Sequence, residues 1–544
     1  MSKKWYIASL LVWSVLISTT SADTLSTSFK QPAEETKPWC YWFWLKGDIT
    51  REGITKDLES MVEVGITDAI LMNVSNPQKE KTDNGTPVSV AILSPEWNEL
   101  KRHALREAKR LDVGLNFANG PGWSQSGGPW IKPEQSMRRV IWSEFESNGG
   151  TFSQNVRARG VPGGGSQDIA VLAVPKLDSV SIKGKQTENQ YIFSHTKLFT
   201  ARSLLVDGAV SGSLYAVKNG KRELVTKIDV TAGFPKTDFL ANEAQTVSFA
   251  EVKASRFELD YQPAKPRRGK VPAAARVTLS SEPKVAQVLN KQMGRMHPTP
   301  APTWNSYIFK DTVQPEDASV LIDSKKIIDL SDQLGADGVL NCSLPKGDWR
   351  IIYFGMITTG QKNHPAPPSA TGLEVDKMSR VHLRHHFDSY IGVLLNQMTP
   401  EEKSALKGVT IDSYEVGSQN WTDGFAAEFE KRNGYNPIPL LPTFTGTVID
   451  SAKKSDQFLW DLRRTVADMI AENYVGGLRD LAHEHGMELW LENYGHWGFP
   501  GDFTIYGGYS DMVGGEFWSN QPHGTHLRKT ADVCRSIYQP SRSV

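Results

Sequence analysis

The chain has little cysteine. Its 544 residues hold three, Cys40, Cys342 and Cys534, too few for a disulfide framework, and no C-x-x-C pair suggests zinc. Cys40 falls in a strand-like run and Cys534 in a helix-like one, where small buried hydrophobes are expected. Net charge is absent too: 61 Lys and Arg balance 61 Asp and Glu. Nothing in that balance attracts a nucleic acid or an acidic membrane surface. Apolar runs long enough to cross a bilayer are missing, so no membrane span is expected once the N-terminus is removed. That N-terminus has Lys3 and Lys4, an apolar run Trp5–Ile17, and the small residues Thr20, Ser21 and Ala22. This order predicts a signal peptide over residues 1–22 and export to the periplasm or the medium. The glycines make no phosphate cradle. Asn119–Trp130 (NGPGWSQSGGPW) lacks the Lys-Ser/Thr of a P-loop, and no G-x-G-x-x-G sits at its strand–helix junction.

Aromatics are what the chain has: 16 Trp and 15 Tyr. In a charge-neutral protein they fit carbohydrate binding, with core filling as the alternative. The run Trp39–Leu45 (WCYWFWL) predicts a first strand so dense in rings that some, Trp44 among them, face a ligand. A helix follows from about Thr50, with Ile54, Leu58, Met61 and Val62 at helical spacing and Gly65 as its stop. Ile66–Asn73 is the second strand. Ser94-Pro95-Glu96 opens the next helix with a cap, a first-turn proline and an acid suited to the dipole. Trp97, Leu100, Ala104, Ala108 and Leu111 form its buried face. Strand Val113–Ala118 then empties into the Gly-rich loop, where Asn119 would offer an amide and Trp123 and Trp130 ring faces. A merely tight loop is the alternative.

From Ser136 to about Tyr353 the pattern becomes short apolar runs: Ile169–Val174, Ser203–Val206, Leu214–Val217, Thr246–Phe249, Arg256–Leu259, Ala275–Leu279 and Trp349–Phe354. Turn signals such as Gly163-Gly164-Gly165 and Asn219-Gly220 separate them, which predicts an all-β sandwich. Strand–helix alternation resumes at Gly372–Lys377 and continues through Gly408–Ser413, helices at Phe425–Arg432 and Phe458–His485, and strands Met487–Leu491 and Asp511–Gly515. The expected fold class is α/β: a (β/α)8-type, TIM-like barrel. Residues 37–135 and 361–544 form its two parts, with an all-β sandwich inserted at 136–360. Six convincing strands against the eight of a closed barrel predict that it is incomplete at the C-terminus.

Three of these strands end in carboxylates. IDSYEVGSQNW (Ile411–Trp421) carries Asp412 and Glu415; MELWLENYGHW leads to Glu492; MVGGEFW leads to Glu516. Barrel sites sit at C-terminal strand ends, so these positions suit catalysis or ligand binding. An inverting glycosidase needs a protonated acid and a water-activating carboxylate ~6.5–9.5 Å apart. Crowding between Asp412 and Glu415 would raise one pKa, which suits a general acid. Glu415 is assigned that role, with Asp412 as a bracing partner. Glu492 and Glu516 are candidates for sugar hydroxyls or for a hard cation such as calcium, and either could be the base. A salt bridge inside the barrel is the bland reading of Glu492. His496, Asn420 and Trp421 fit sugar-facing side chains, with structural roles as the alternative.

These blocks, together with GDITREGITKDLE (Gly47–Glu59), LSPEW (Leu93–Trp97), GLEVDKMS (Gly372–Ser379) and LENYGHWGFPGDF (Leu491–Phe503), resemble glycoside hydrolase family 106, the bacterial α-L-rhamnosidases. The resemblance covers most of 39–142 and 372–518 in order; the β region matches only in general character. It implies an exported, exo-acting, inverting enzyme that removes terminal α-L-rhamnose from polysaccharides or glycosides. It also implies a calcium ion at the sugar hydroxyls and a catalytic acid at Glu415. By the same resemblance the base belongs to a motif a few residues beyond Val544. Two alternatives stay open: another barrel glycosidase, such as a β-galactosidase-like enzyme with its carboxylates ~5–5.5 Å apart, or a carbohydrate-binding remnant without its base.

Overall fold

A computed structural model of the chain describes residues 27, 36–45, 47–74, 90–157, 166–233, 238–262, 275–295, 308–493 and 499–515. The signal-like segment 1–22, Gly163–Gly165, His496, Glu516 and Cys534 lie outside them.

A six-stranded, all-parallel sheet organises the molecule: β1 Trp39–Leu45, β2 Asp68–Val74, β3 Gly114–Ala118, β4 Leu406–Ile411, β5 Glu488–Glu492 and β6 Met512–Gly514, hydrogen-bonded in that order. Helix α1 (Arg51–Glu63) joins β1 to β2. The Thr50 side chain caps it by accepting from Gly53 N–H, and Gly65, at φ +81°, turns the chain out. Ile54, Leu58 and Met61 are buried as expected, but Val62 is exposed because it lies off that stripe. Helix α2 (Pro95–Leu111) carries the expected Ser94 cap and buries Trp97, Leu100, Ala104, Leu105 and Ala108 against the sheet. Each large side chain among these contributes roughly 1.5–3 kcal/mol by leaving water.

Strand parity sorts the sheet into two faces. Trp42, Trp44, Ala69, Leu71, Leu115, Phe117, Val409, Ile411, Leu489 and Leu491 point to the helices and join the main core. Tyr41, Phe43, Ile70, Met72, Asn116, Ala118, Thr410, Trp490 and Glu492 share the opposite face by register. On that face the rings of Tyr41 and Trp490 meet edge to face, 6.2 Å apart. Their strands are first and fifth in order and would stand about 19 Å apart in a flat sheet. The sheet is therefore curled, and this face is concave.

The chain leaves the parallel sheet after β3 and returns at β4, its neighbour. The expected single sandwich is instead three sheets, of which the smallest pairs Gly150–Asn155 with Val339–Leu344. One is seven-stranded, and its Phe193, Leu204, Leu214, Phe257 and Leu279 form a cluster of their own. The runs Thr246–Phe249 and Arg256–Leu259 belong to one long strand, Gln245–Gln262, not two. Asn219 and Gly220, both at positive φ, make the tight hairpin that joins Val210–Lys218 to Lys221–Val230. The second sheet is four-stranded. Its strand Trp349–Thr358 sends Ile352 and Phe354 into the main core and Ile351 and Tyr353 into a smaller one.

Gly372–Lys377 does not join the parallel sheet. Leu373–Glu374 pairs antiparallel with Gly127–Gly128 of the Gly-rich loop. A Cβ at Gly372 would collide with the Gly128 carbonyl, so the two segments zip together only with glycine there. Beyond it, Ala452–Ile470, a π turn at Ala471–Val475 and Gly476–Glu484 run on as one helical stretch. Gly486, at φ +71°, follows its end.

Candidate active site

The site is assembled where β3, β4 and β5 end. Gly408 to Thr422 is buried throughout except at Glu415, which is partly exposed. Tyr414 and Val416 on either side of it are buried against Met137 and Phe499. Glu415 is thus the partly exposed position between two buried neighbours that hold the turn in place.

Asp412 is buried beside it. It accepts from Ser413 N–H at 2.8 Å and is hydrogen-bonded to Glu492 of the neighbouring strand and to Tyr41 from across the concave face. Burial pushes the Asp412 carboxyl above the usual range, against those hydrogen bonds. Two carboxyls in such contact need one proton, or one cation, between them. Their oxygens are donors of the kind a hard cation takes. Among the described residues no three His, Cys, Asp or Glu side chains converge as a ready metal site.

The Gly-rich loop closes the third side. Trp123 is half-buried, with its ring against Phe43 at 5.6 Å on the concave face, where a ligand could meet it. Asn119 is buried. Its amide nitrogen donates to Gln125 O at 3.0 Å, while Oδ1 has no partner among the described residues. Trp130 takes the structural role: its indole N–H donates to His386 Nδ1, and its ring stacks on Tyr390. His386 Nε2 then carries the proton and donates to Asn119 O at 2.9 Å. One buried imidazole, its pKa lowered by burial to about 4, therefore pins both ends of the loop in neutral form.

Three other expected site residues are placed elsewhere. Trp44 is only 5% exposed, lies edge-on to Trp42 and sits under Lys101, so it is core. Tyr41 and Phe43, 41% and 42% exposed, have the parity that reaches the concave face. Asn420 spends its amide on the β region, accepting from Val140 N–H at 2.8 Å and donating to Gln292 O at 3.0 Å. Trp421 is buried against Phe425 and Phe444. Both are braces and not sugar contacts. Tyr41, Phe43 and Trp490 were missed in favour of Trp44. Asp57, which accepts from Trp42 Nε1 at 2.9 Å, was the available clue that even-numbered β1 residues face the helices.

Comparison with known proteins fits this geometry. A family model described as alpha-L-rhamnosidase, glycoside hydrolase 106, matches residues 30–537. A solved rhamnosidase from Novosphingobium sp. PP1Y superposes with a TM-score of 0.75 and 28% identity, covering 94% of this chain and 52% of that one. A curated relative from Formosa agariphila, named putative beta-glucuronidase, is 32% identical over 498 residues, 91% of this chain and 32% of its own length. The chain thus spans about a third of that relative and about half of the solved rhamnosidase.

Proposed function

The chain belongs to the glycoside hydrolase 106 family of alpha-L-rhamnosidases; from that premise we propose that it is a glycoside hydrolase that releases terminal α-L-rhamnose from polysaccharides or glycosides by exo-acting, inverting hydrolysis. The observation that carries the reading is Glu415, the one side chain from Gly408 to Thr422 that is not buried, just past the C-terminal end of β4. Glu415 donates a proton to the leaving oxygen. A second carboxylate activates water on the other side of the sugar. Glu516, just after β6, is this chain's candidate for that role and lies outside the described residues. Trp123, Tyr41, Phe43 and Trp490 supply ring faces to the sugar, and Asn119 Oδ1 a hydroxyl acceptor.

The curl that brings Tyr41 to Trp490 supports a (β/α)8-type barrel built from 37–135 and 361–544, with 136–360 as the insertion. A calcium ion would suit the buried Asp412–Glu492 pair, whose oxygens are hard donors. Glu492 and Asp412, with Glu516, would hold it by carboxylate oxygens, with sugar hydroxyls completing the ligand set. When bound it would orient those hydroxyls and replace the proton between the two carboxyls. Its removal by chelation is expected to lower rhamnoside affinity, with recovery on adding calcium and not magnesium. The Lys3–Ala22 segment suits export, which fractionation of expressing cells would check. Among the described residues no helix is long and apolar enough to cross a membrane.

The test is a panel of aryl glycosides with ¹H NMR of the first sugar formed. Release from the α-L-rhamnoside, with the β-anomer appearing first, is expected. Release from a β-glucuronide or β-galactoside instead, or the α-anomer first, would overturn the substrate or the stereochemistry.

A further inference from the structure

Next to the site lies a buried ion pair that the hydrolysis itself does not use. Lys377 Nζ is 2.8 Å from Glu374, and both side chains are essentially inaccessible. Such a pair is a weak source of stability, since desolvation offsets most of its attraction. Its remaining contacts point to another role. Glu374 accepts hydrogen bonds from Ser124 and Ser126, which flank Gln125 in the loop that carries Trp123. Val375 N–H donates to Ser126 O, extending the Gly127–Gly128 pairing. The ammonium of Lys377 faces the rings of Tyr414 and Tyr474, with centroids 5.2 and 5.3 Å away. Its backbone N–H donates to Gln419, and Asp376 accepts from Gln419 and Thr422. Ser124, Ser126, Lys377, Asp412 and Tyr414 line one small gap. One short segment thus holds the ring-bearing loop with its anion and the Glu415 turn with its cation.

We propose that Glu374 and Lys377 are a positioning pair that fixes the proton donor Glu415 relative to the sugar held on the Trp123 loop. The proposal rests on the reading of Glu415 as acid given above. Neither residue touches the substrate; Lys377 acts through the Tyr414 ring, next to Glu415 in the chain, and Glu374 through Ser124 and Ser126. A covalent neighbour fixed by a ring–cation contact and a loop fixed by two hydroxyls move independently once the pair is gone.

The test uses the whole chain carrying Glu374→Gln and Lys377→Met together, which strands no buried charge and preserves the fold. On a rhamnoside whose leaving group needs a proton, kcat is expected to fall about 100-fold, the cost of a misplacement near 1 Å, with KM changed less than about threefold. With a dinitrophenyl leaving group, which needs no proton, the loss should shrink to a few-fold. Amide exchange should quicken about tenfold in both 122–128 and 413–418 while the strand Trp349–Thr358 keeps its protection. A lower melting temperature with kcat per folded molecule unchanged, an equal loss on both leaving groups, or faster exchange in only one segment would overturn the proposal. If the unmodified chain releases no rhamnose, the assigned activity fails, and the exchange measurement alone decides whether the pair couples the two segments.

Discussion

Glu415 and Trp44 show what a sequence says about a single residue. Both stand in conspicuous motifs, yet Glu415 is partly exposed and Trp44 belongs to the core. The two predict opposite phenotypes. Trp44→Ala should cost about 3–5 kcal/mol in denaturant unfolding, because it opens a core cavity, and leave KM of the folded fraction unchanged. Phe43→Ala, at a half-exposed position, should cost under about 1 kcal/mol and raise KM. The strand-end positions of Asp412 and Glu492 were legible, because short apolar runs that break into acids mark them. The rings were not, because WCYWFWL is aromatic at both parities and only the helix partners Asp57 and Lys101 decide which side faces in.

At the scale of elements, capped helices were the most legible part. Ser94-Pro95-Glu96 opens α2 as read, since capping is local chemistry. Gly372–Lys377 was misread as a sheet strand, because its partner Gly127–Gly128 is remote in sequence and glycine carries no periodicity signal. Helix α2 also carries a lysine on its buried stripe, Lys101 lying between Trp97 and Leu105 at helical spacing. Lys101 is fully buried, and among the described residues its Nζ meets only the rings of Trp97, Phe117 and Trp44. Burial lowers its pKa well below the ordinary value. A lysine depressed in the folded state binds fewer protons there than in the unfolded chain. Stability should therefore rise with pH from the lowered pKa up to the ordinary lysine value near 10.5. Lys101→Met should flatten that rise and raise the melting temperature at neutral pH; thermal scans across pH 6–10 check both. A wild-type melting temperature that falls over that range, with no gain from the substitution, would contradict the burial account.

For the whole molecule, the β region is bound to the catalytic part by polar contacts that its sequence does not announce. Arg138, on the strand Arg138–Ser147, pairs with buried Asp376 at 2.8 Å and with Asp423, and Asn420 reaches back to Val140 and Gln292. Arg138→Met would leave Asp376 buried with its charge uncompensated, a loss of about 3–5 kcal/mol, read by chemical denaturation. Asp423, largely exposed, should cost under about 1 kcal/mol when changed to Asn. The α/β class and the exit from the parallel sheet after β3 follow from local patterning and order, whereas the return was expected at Gly372–Lys377 and comes at β4. The split of the β region into three sheets does not follow from them, because alternation marks strands without saying which of them pair.

The central claim is that Glu415 is the proton donor of a rhamnoside hydrolase. Its most direct test is the rate of Glu415→Gln on two aryl α-L-rhamnosides, one with a phenyl and one with a dinitrophenyl leaving group. A loss of about 10²–10⁴-fold is expected on the phenyl glycoside, the usual contribution of general acid catalysis, and a much smaller loss on the dinitrophenyl one. Equal losses on both, or undiminished hydrolysis of the phenyl rhamnoside, would contradict Glu415 as the donor.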